Sequence, residues 1–533
     1  MLGSGRWFCL CSGSGRHQTY FLLQDAIWTL NTLQSNASVL QQARSGQRDP
    51  RQQLLSMPGF LERAGLTVEQ LDHLNIIHIT GTKGKGSTCA FTERILRTYG
   101  FRTGFYSSPH LVQVRERIRI DGRPISNELF TKYFWQVYGR LDETKEAHGG
   151  TMPAYFRFLT ILAFHIFLQE KVDLAIIEVG IGGAYDCTNV VRRPWVCGIA
   201  SLGIDHTQIL GDTIEKIAWQ KAGIFKPGVP AFTVRQPQEA MAVLRDRARE
   251  IQCRLRVCPD LDRYQAESGA LQLGLAGQHQ RSNASLALQL CHTWLQRRCG
   301  PGEEILLSSI KTPTGTGSRF LCLVPGLADT HWAGRNQTLR RGAMTYFLDG
   351  AHTHRSMQAC VQWFQDATQS QKGRCRHAEA PLCSLLQPCH FDLAVFCPNI
   401  AETVATGNAD QQNFNVTVEA MLTCCLDNER SWRLLSDGGD EYAVPLLIRD
   451  GPAPLAERKA DSLVFPCILS ALRWIAQGRD PVLTEPAQTA PPVTPSMAAK
   501  AALLQDAAHV HILVTGSLHL VGGVLKHLDP EDR

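Results

Sequence analysis

The segment IIHITGTKGKGST, from Ile76 to Thr88, changes abruptly from β-branched residues to glycines, lysines and hydroxyls. This change predicts a buried strand, then a loop that binds phosphate, then a helix. Glycines let backbone N–H groups approach oxyanions, Lys85 adds a positive charge, and the N-terminus of a helix attracts anions. The spacing between Gly81 and the Gly84-Lys85 pair differs from that of the generic nucleotide-binding loop. The alternative interpretation is an ordinary strand-to-helix turn.

Length and composition limit the classes of protein that fit. A chain of 533 residues exceeds one hydrophobic core, so two unequal domains are expected. The net charge of +5 is small and the basic residues are scattered, so no nucleic-acid partner is expected. The 18 cysteines fall in no regular framework, which is typical of reduced intracellular thiols. The apolar run 152–168 contains Arg157 and His165 and predicts a core helix instead of an integral membrane segment.

Predicted strands and helices alternate along the first half of the chain. Lead-in helices are expected within 22–40 and 52–74, and the glycine loop opens a helix at 87–99. Further strands are expected at 103–107, 115–120, 172–179 and 195–201. This order predicts a parallel, twisted sheet whose ligands gather at the carboxyl ends of its strands.

Polar residues follow several of these strands directly. Glu178 precedes a glycine-rich loop, and a functional role is favoured over an outward position near the end of a strand. His206, in GIDHT, fits a metal or phosphate contact and a structural role equally well. Asp212 and Glu215 resemble an N-cap pair that opens a helix at 213–222. Lys221, on that helix, by itself indicates a solvated lysine.

The chain restarts as a smaller α/β unit after a segment rich in Gly, Pro, Ser and Thr at 299–333, where we place the domain boundary. Before it, Gln280 and Asn283 open a helix and could read a purine edge or cap the backbone. After it, strands are expected at 344–348, 391–397 and 510–515, and helices at 356–367 and 462–477. The segments 428–460 and 481–495 indicate loops or disorder.

Eight motifs in order resemble one family. GTKGKGS, SSPHL, EVGIGGAYDCTN, GIDHT, KAGIFK, GQHQRSNA, DGAHT and VTGSLHLVGG, spread over about Leu22 to Lys526, are similar to the eukaryotic-type folylpolyglutamate synthases of the Mur ligase superfamily. The resemblance implies an ATP-dependent ligase. It would add L-glutamate to the γ-carboxyl of tetrahydrofolate or its polyglutamates through an acyl phosphate, giving ADP and phosphate, in folate retention and one-carbon metabolism.

The resemblance also implies an organisation for the chain. It implies a P-loop-type parallel-sheet ATPase domain at 22–300 and a smaller, Rossmann-like α/β domain at 334–533, joined by a linker at 301–333. Residues 1–21 contain no acidic residue and form a weak candidate for a transit segment. We therefore expect a monomer that is cytoplasmic, with a mitochondrial form as the further expectation.

Site residues follow from the resemblance position by position. ATP and Mg²⁺ are the implied cofactors, with a monovalent cation such as K⁺ in addition, and Lys221 matches a lysine that relatives carbamoylate with CO₂. The implied residues are Gly84, Lys85, Gly86, Ser87, Gln280, Asn283, Arg335, Asp349 and His352 for ATP, Ser108, Glu178 and His206 for the metal, and Lys85, His206 and Lys221 for catalysis.

Two segments depart from the family pattern. At 368–390, where the family has a strand and a loop near the nucleotide, the chain reads QSQKGRCRHAEAPLCSLLQPC over 369–389, and 303–327 also differs. The spacing of Cys375, His377, Cys383 and Cys389 fits no strong zinc pattern. The alternative function is an impaired nucleotide- or folate-binding variant whose C-terminal sheet cannot close. A bifunctional enzyme that also makes dihydrofolate and a generic NTPase are disfavoured by the form of the glycine loop.

Overall fold

The computed structural model describes residues 15–34, 51–266, 271–299, 310–311, 323–368, 389, 391–402, 417–436, 462–483 and 495–529. Most of the two departing segments lies outside these residues, as do Cys375, His377 and Cys383 and most of the predicted leader. The predictions of loop or disorder at 437–460 and 484–494 also lie outside them, and the predicted domain boundaries remain predictions.

An eight-stranded sheet forms the centre of the first half of the chain. Its order is β4-β3-β2-β5-β1-β6-β7-β8, with every neighbouring pair parallel except the antiparallel pairs that β3 makes with β2 and β4. The strands are β1 Ile77–Thr80, β2 Thr103–Tyr106, β3 Ile118–Ile120, β4 Arg123–Pro124, β5 Leu174–Glu178, β6 Val196–Ile199, β7 Pro230–Thr233 and β8 Arg254–Val257.

Helices cover both faces of this sheet, which explains the continuous apolar runs of its central strands. Consecutive residues Ile176 and Ile177 of β5 belong to two different hydrophobic clusters, one on each face. The α-helices described in this half are Gly15–Thr32, Arg51–Leu55, Met57–Arg63, Lys85–Thr98, Asn127–Glu143, Tyr155–Gln169, Thr207–Leu210, Ile214–Ala222, Gln238–Ile251 and His279–Cys299. Tyr155–Gln169 is the predicted core helix. Within the described ranges, no helix is both long and apolar enough to cross a membrane.

Two smaller sheets lie in the described part of the second half. In the first, β12 (Met344–Leu348) lies between antiparallel β11 (Gln337–Arg341) and parallel β15 (Val510–Val514). In the second, β13 (Ala394–Phe396) pairs in parallel with β14 (Ser462–Val464). One short antiparallel pair joins β9 (Gln265–Ala266) to β10 (Ile310–Lys311). The helices described after β10 are Leu323–Ala328, His354–Thr368, Val418–Ser436, Ile468–Ala476, Pro495–Asp506 and Leu518–Leu528.

The predicted α/β fold is confirmed, with local corrections. The helix predicted at 462–477 is wrong at its start, where β14 precedes a helix that begins at Ile468. The loop predicted from 428 is wrong as far as 436, because the helix Val418–Ser436 packs on β13 and β14. The edge strand predicted at 115–120 begins as a 3-10 turn, Val114–Arg117, before β3.

Candidate active site

The glycine-rich loop leaves the carboxyl end of β1, between the exits of β5 and β6. The backbone N–H groups of Thr82 and Lys83 both donate to the Ser201 carbonyl, at 2.9 and 3.0 Å. The Thr82 hydroxyl donates to the Gly203 carbonyl at 3.0 Å and accepts from the Gly203 N–H at 3.1 Å. The loop is therefore fixed to the loop after β6. The predicted order of strand, loop and helix is confirmed.

Gly84 lets a second segment approach this loop closely. It stands before the helix Lys85–Thr98 with a φ of 86°, in the left-handed region that favours glycine. A Cβ at this position would lie 2.2 Å from Asn283 Oδ1. Asn283 Nδ2 donates to Gln280 Oε1 at 2.9 Å, and both amide side chains are buried. These two amide side chains therefore bond to each other beside the loop.

Two lysine side chains meet at the carbonyl of Gly81. Lys85 Nζ donates to this oxygen at 3.1 Å and Lys221 Nζ donates at 2.8 Å. Burial lowers the pKa of Lys221 well below its usual value, and the charge of Lys85 lowers it further. The solvated lysine indicated by the sequence alone is wrong, since Lys221 is 3 % exposed. It is buried because its helix packs on the loop after β5, where Ala184 N–H donates to the Gln220 carbonyl at 2.7 Å.

Glu178, at the end of β5, points into the protein and not outward. It is 4 % exposed, and its Oε2 accepts from the Ser108 N–H at 3.2 Å. Burial raises the pKa of this carboxyl, and the charges of Lys85 and Arg335 oppose the rise. The structure thus brings together Glu178 and Ser108, two of the three residues predicted to bind metal. A carboxylate and a hydroxyl are oxygen ligands of the kind that Mg²⁺ prefers.

His206 lies on the loop after β6. It is exposed, has a φ of 51°, and precedes the short helix Thr207–Leu210. Partial burial and the charges of Lys85 and Lys221 lower its pKa, whereas Asp205 raises it. Among the described residues no hydrogen bond joins His206 to Glu178 or Ser108, and none of the described His, Cys, Asp and Glu side chains form a metal-binding group of three or more.

The next helix begins one residue later than the sequence indicated. Thr213 is its N-cap, and the Thr213 hydroxyl accepts from the Lys216 N–H at 3.3 Å. Asp212 forms an ion pair with the Lys216 side chain at 2.9 Å instead of capping the helix. The N-cap prediction for Asp212 and Glu215 is therefore wrong. Thr213 has the extended backbone that an N-cap requires, and its hydroxyl takes the place of the predicted carboxylate.

The three residues predicted from the C-terminal half lie on loops next to β12. Asp349 is buried and accepts from the N–H groups of Asn336 and Ala351, at 2.9 and 3.0 Å. Burial raises the pKa of Asp349, and the charge of Arg335 opposes the rise. His352 is exposed on the same loop. These contacts hold the loop after β12 against the segment that carries Arg335.

One pocket contains residues from both halves of the chain. It brings Glu178 and Ser108 next to the phosphate loop on one side and to Arg335 on the other. The Trp332 ring, on its wall, lies 5.2 Å from the Phe105 ring and 5.0 Å from the Arg119 guanidinium. The lining residues are Gly86, Ser107, Ser108, Pro109, Leu111, Glu116, Arg119, Glu178, Trp332, Ala333, Arg335 and Leu518. The lining thus offers guanidinium groups to an anion and carboxylates to a cation.

Sequence reasoning missed residues that only folding brings to the site. Arg119 and Trp332 line the pocket, although sequence reasoning assigned neither side chain a role in binding; Trp332 belongs to the same WAGR segment as Arg335. Lys83 was quoted within the glycine loop but was given no role. Its Nζ lies 3.1 Å from Asp205 Oδ2 and 3.5 Å from His352 Nε2. Its place in the loop was the signal that could have identified it.

No family model matches the chain. Individual related proteins, by contrast, carry the name of one family. The human protein named "Folylpolyglutamate synthase, mitochondrial" is 55% identical and aligns with 95% of this chain and 92% of its own length. A putative folylpolyglutamate synthase of Caenorhabditis elegans is 39% identical, with 94% and 92% covered.

Solved structures resemble the fold. Mycobacterium tuberculosis folylpolyglutamate synthase complexed with ADP matches with a TM-score of 0.63 and 22% identity, covering 96% of this chain and 99% of its own. An FPGS–AMPPCP–folate complex matches with a TM-score of 0.56 and 22% identity, covering 89% and 94%. At this identity the likeness shows the fold alone.

Proposed function

The chain belongs to the folylpolyglutamate synthase family, and we propose how the site described above carries out the reaction of that family. The chain is an ATP-dependent ligase that adds L-glutamate to the γ-carboxyl of reduced folates. The observation that carries this function is 55% identity to the human synthase over 95% of the chain. The comparisons give no support to the impaired alternative.

The reaction requires positive charge because its partners are anions. A carboxylate is a poor electrophile, so the folate γ-carboxylate first attacks the γ-phosphate of ATP. The amine of glutamate then displaces phosphate from the acyl phosphate, through a tetrahedral intermediate. We assign the triphosphate to the backbone N–H groups of 84–87 and to the ammonium of Lys85, with the guanidinium of Arg335 on the opposite wall of the pocket. These groups offset the repulsion between the two reacting anions.

The donor set beside the phosphate loop fits a hard divalent cation. We assign Mg²⁺ to the carboxylate of Glu178 and the hydroxyl of Ser108, two residues that the hydrogen bond from the Ser108 N–H to Glu178 Oε2 at 3.2 Å holds side by side, and we extend the assignment to His206 by resemblance. Bound Mg²⁺ would neutralise charge on the phosphates. A monovalent cation such as K⁺ is a further proposal, which replacement of K⁺ by choline in the assay tests.

Lys221 fits the role of a lysine that reacts with CO₂. Only a neutral amine is a nucleophile, and burial lowers the pKa of Lys221 towards that form. Attack of the neutral Nζ on the carbon of CO₂ forms an N–C bond, breaks one C–O π bond and releases a proton, so the neutral amine becomes a carbamate anion. Counted from the ammonium form, two protons are released and a cation is replaced by an anion. Mass spectrometry of the intact protein in ¹³C-bicarbonate, after trapping of the carbamate by methylation, tests this assignment.

The remaining assignments concern adenine, domain closure and cellular location. We propose that Gln280 and Asn283 contact adenine, and that Arg335, Asp349 and His352 approach ATP when the two halves close. We further propose a monomer that acts in the cytoplasm and, as the names of the human and bovine relatives suggest, in mitochondria.

The decisive experiment is ADP formation by the purified protein with Mg-ATP, tetrahydrofolate and L-glutamate, omitting each component in turn. We expect turnover that needs both folate and glutamate, with a product that is heavier by one glutamate residue. L-Aspartate in place of glutamate is the matched control. ADP formation that ignores folate and glutamate would refute the ligase function.

A further inference from the structure

Loops from two different sheets meet at the side chain of Lys83. Its Nζ lies 3.1 Å from Asp205 Oδ2, in the loop after β6, and 3.5 Å from His352 Nε2, in the loop after β12. The Nδ1 of His352 lies 2.9 Å from the Gly350 carbonyl, which can only accept a hydrogen bond. In the neutral ring Nδ1 therefore carries the hydrogen, and Nε2 accepts from Lys83.

The backbone around Lys83 is also held in place. The Lys83 N–H donates to the Ser201 carbonyl at 3.0 Å, so the start of the side chain is fixed to the loop after β6. Arg355, in the helix His354–Thr368 that follows the loop after β12, donates from Nη1 to the Leu202 carbonyl at 3.0 Å and forms a second link to the loop after β6. Lys83 is thus the charged group through which the phosphate loop contacts both neighbouring loops.

Lys83 also contributes to the positive charge of the site. Burial lowers the pKa of Lys85 most, and Glu178 opposes this effect. The charge of Lys83 lowers the pKa of Lys85 further, and it also lowers the pKa of Lys221. Asp205 offsets part of this repulsion through its ion pair with Lys83. A bound polyphosphate would offset more of it. An ammonium has three N–H donors, and the contacts to Asp205 and His352 use two, which leaves one for a phosphate oxygen.

We propose that Lys83 is a positioning residue that docks the loop carrying His352 onto the phosphate loop, and so holds Arg335 and Asp349 in place over the phosphates of ATP. The inference rests on the ligase function proposed above and adds to it a residue that links nucleotide binding to the contact between the two halves. A neutral acceptor at position 83 could not donate a hydrogen bond to Asp205 and His352, and a negative charge there would repel Asp205. A cation between a carboxylate and a neutral imidazole can.

Steady-state kinetics with variants of Lys83 test the proposal. We expect Lys83→Met to lower kcat/KM for ATP by about tenfold or more, because a charged hydrogen-bond donor is lost. Lys83→Arg, which keeps the charge and the donors, should retain most of the activity. The matched control is Lys216→Met, which removes an exposed ion pair with Asp212 away from the pocket and should leave the kinetics unchanged.

A double-mutant cycle separates positioning from simple charge loss. His352→Ala should lower kcat/KM by itself, and adding Lys83→Met should then cost much less than it costs in the wild type. Hydrogen exchange of the backbone at 349–356 should be faster in Lys83→Met than in the wild type, whether or not substrates are present. Independent effects of the two substitutions, or unchanged exchange in Lys83→Met, would overturn the proposal.

The two readouts also distinguish this inference from the function on which it rests. If the wild type shows no folate- and glutamate-dependent turnover, the proposed function fails, while hydrogen exchange still reports whether Lys83 docks the loop. If the wild type turns over and Lys83→Met matches it, the function stands and the role of Lys83 is refuted.

Discussion

Replacing Gly84 with alanine should damage the phosphate loop through one identifiable contact. Gly84 and Gly100 flank the two ends of the helix Lys85–Thr98, and each has a φ of 86°. A Cβ on Gly84 would lie 2.2 Å from Asn283 Oδ1, whereas a Cβ on Gly100 would have no neighbour within 4 Å. Gly100→Ala therefore carries the backbone cost alone. Gly84→Ala carries the same cost and a collision.

The magnitudes follow from these two contributions. An alanine in the left-handed region costs about 1–2 kcal/mol, and this applies to both variants. In Gly84→Ala the amide of Asn283 must move, which breaks its buried hydrogen bond to Gln280 and costs a further 1–3 kcal/mol or so. We therefore expect Gly84→Ala to be destabilised by about 2–5 kcal/mol and Gly100→Ala by about 1–2 kcal/mol.

Urea unfolding and ATP kinetics measure the two consequences separately. Gly84→Ala should raise KM for ATP because the loop N–H groups no longer point at one site, whereas Gly100→Ala should leave KM unchanged. Adding Asn283→Ala to Gly84→Ala should recover part of the lost stability, because it removes the atom that collides. Equal destabilisation by Gly84→Ala and Gly100→Ala would show that the contact with Asn283 is unimportant.

Three further outcomes are expected. Lys85→Ala should abolish ATP turnover while the urea midpoint stays near that of the wild type, and wild-type turnover would refute the phosphate assignment. Glu178→Gln should raise the Mg²⁺ concentration needed for half-maximal turnover without loss of thermal stability, because burial raises the pKa of this carboxyl and a neutral amide is easier to bury; an unchanged Mg²⁺ titration would remove Glu178 from the metal site. His78, whose buried Nε2 lies 3.0 Å from Thr188 Oγ1, has a pKa lowered to about 3 by burial, with a smaller contribution from Lys226. Between pH 6.5 and about pH 3, His78 is protonated in the unfolded chain but neutral in the folded chain. The free energy of unfolding therefore decreases as the pH is lowered through this range. His78→Gln should reduce the loss measured by urea unfolding between pH 6.5 and 4.5 by about 2 kcal/mol, and an equal loss in both proteins would contradict the assignment.

Elements with strong local patterns were predicted closely. The strand β12 occupies the predicted residues 344–348, and the glycine loop joins β1 to a helix as expected. Apolar runs and glycines encode these elements within a few residues of chain, so distant contacts are not needed to recognise them. The helix Val418–Ser436 was missed in part because its last turns, NERSWRLLS, have no clear apolar period, and the helix packs on strands that lie elsewhere in the sequence.

For the site residues too, the local sequence identified positions, and distant contacts decided the surroundings of each side chain. The motifs identified Glu178 and Lys221, but neither pattern showed that both side chains are buried. The burial of Glu178 depends on the register of β5 against β1, in which Ile79 pairs with Glu178, and on the backbone N–H of Ser108. The role of Lys83 depends on Asp205 and His352, which stand far away in the chain.

The sequence by itself determined the α/β class, the phosphate loop and the family, because each depends on residue types at short spacing. Only the tertiary structure decided which charges share a site. It placed two lysine side chains on the Gly81 carbonyl and brought Arg335 to the same pocket as Glu178. Parallel strands connected by helices bring their carboxyl ends together whatever their separation in sequence, and the side chains that meet there are set by register and packing.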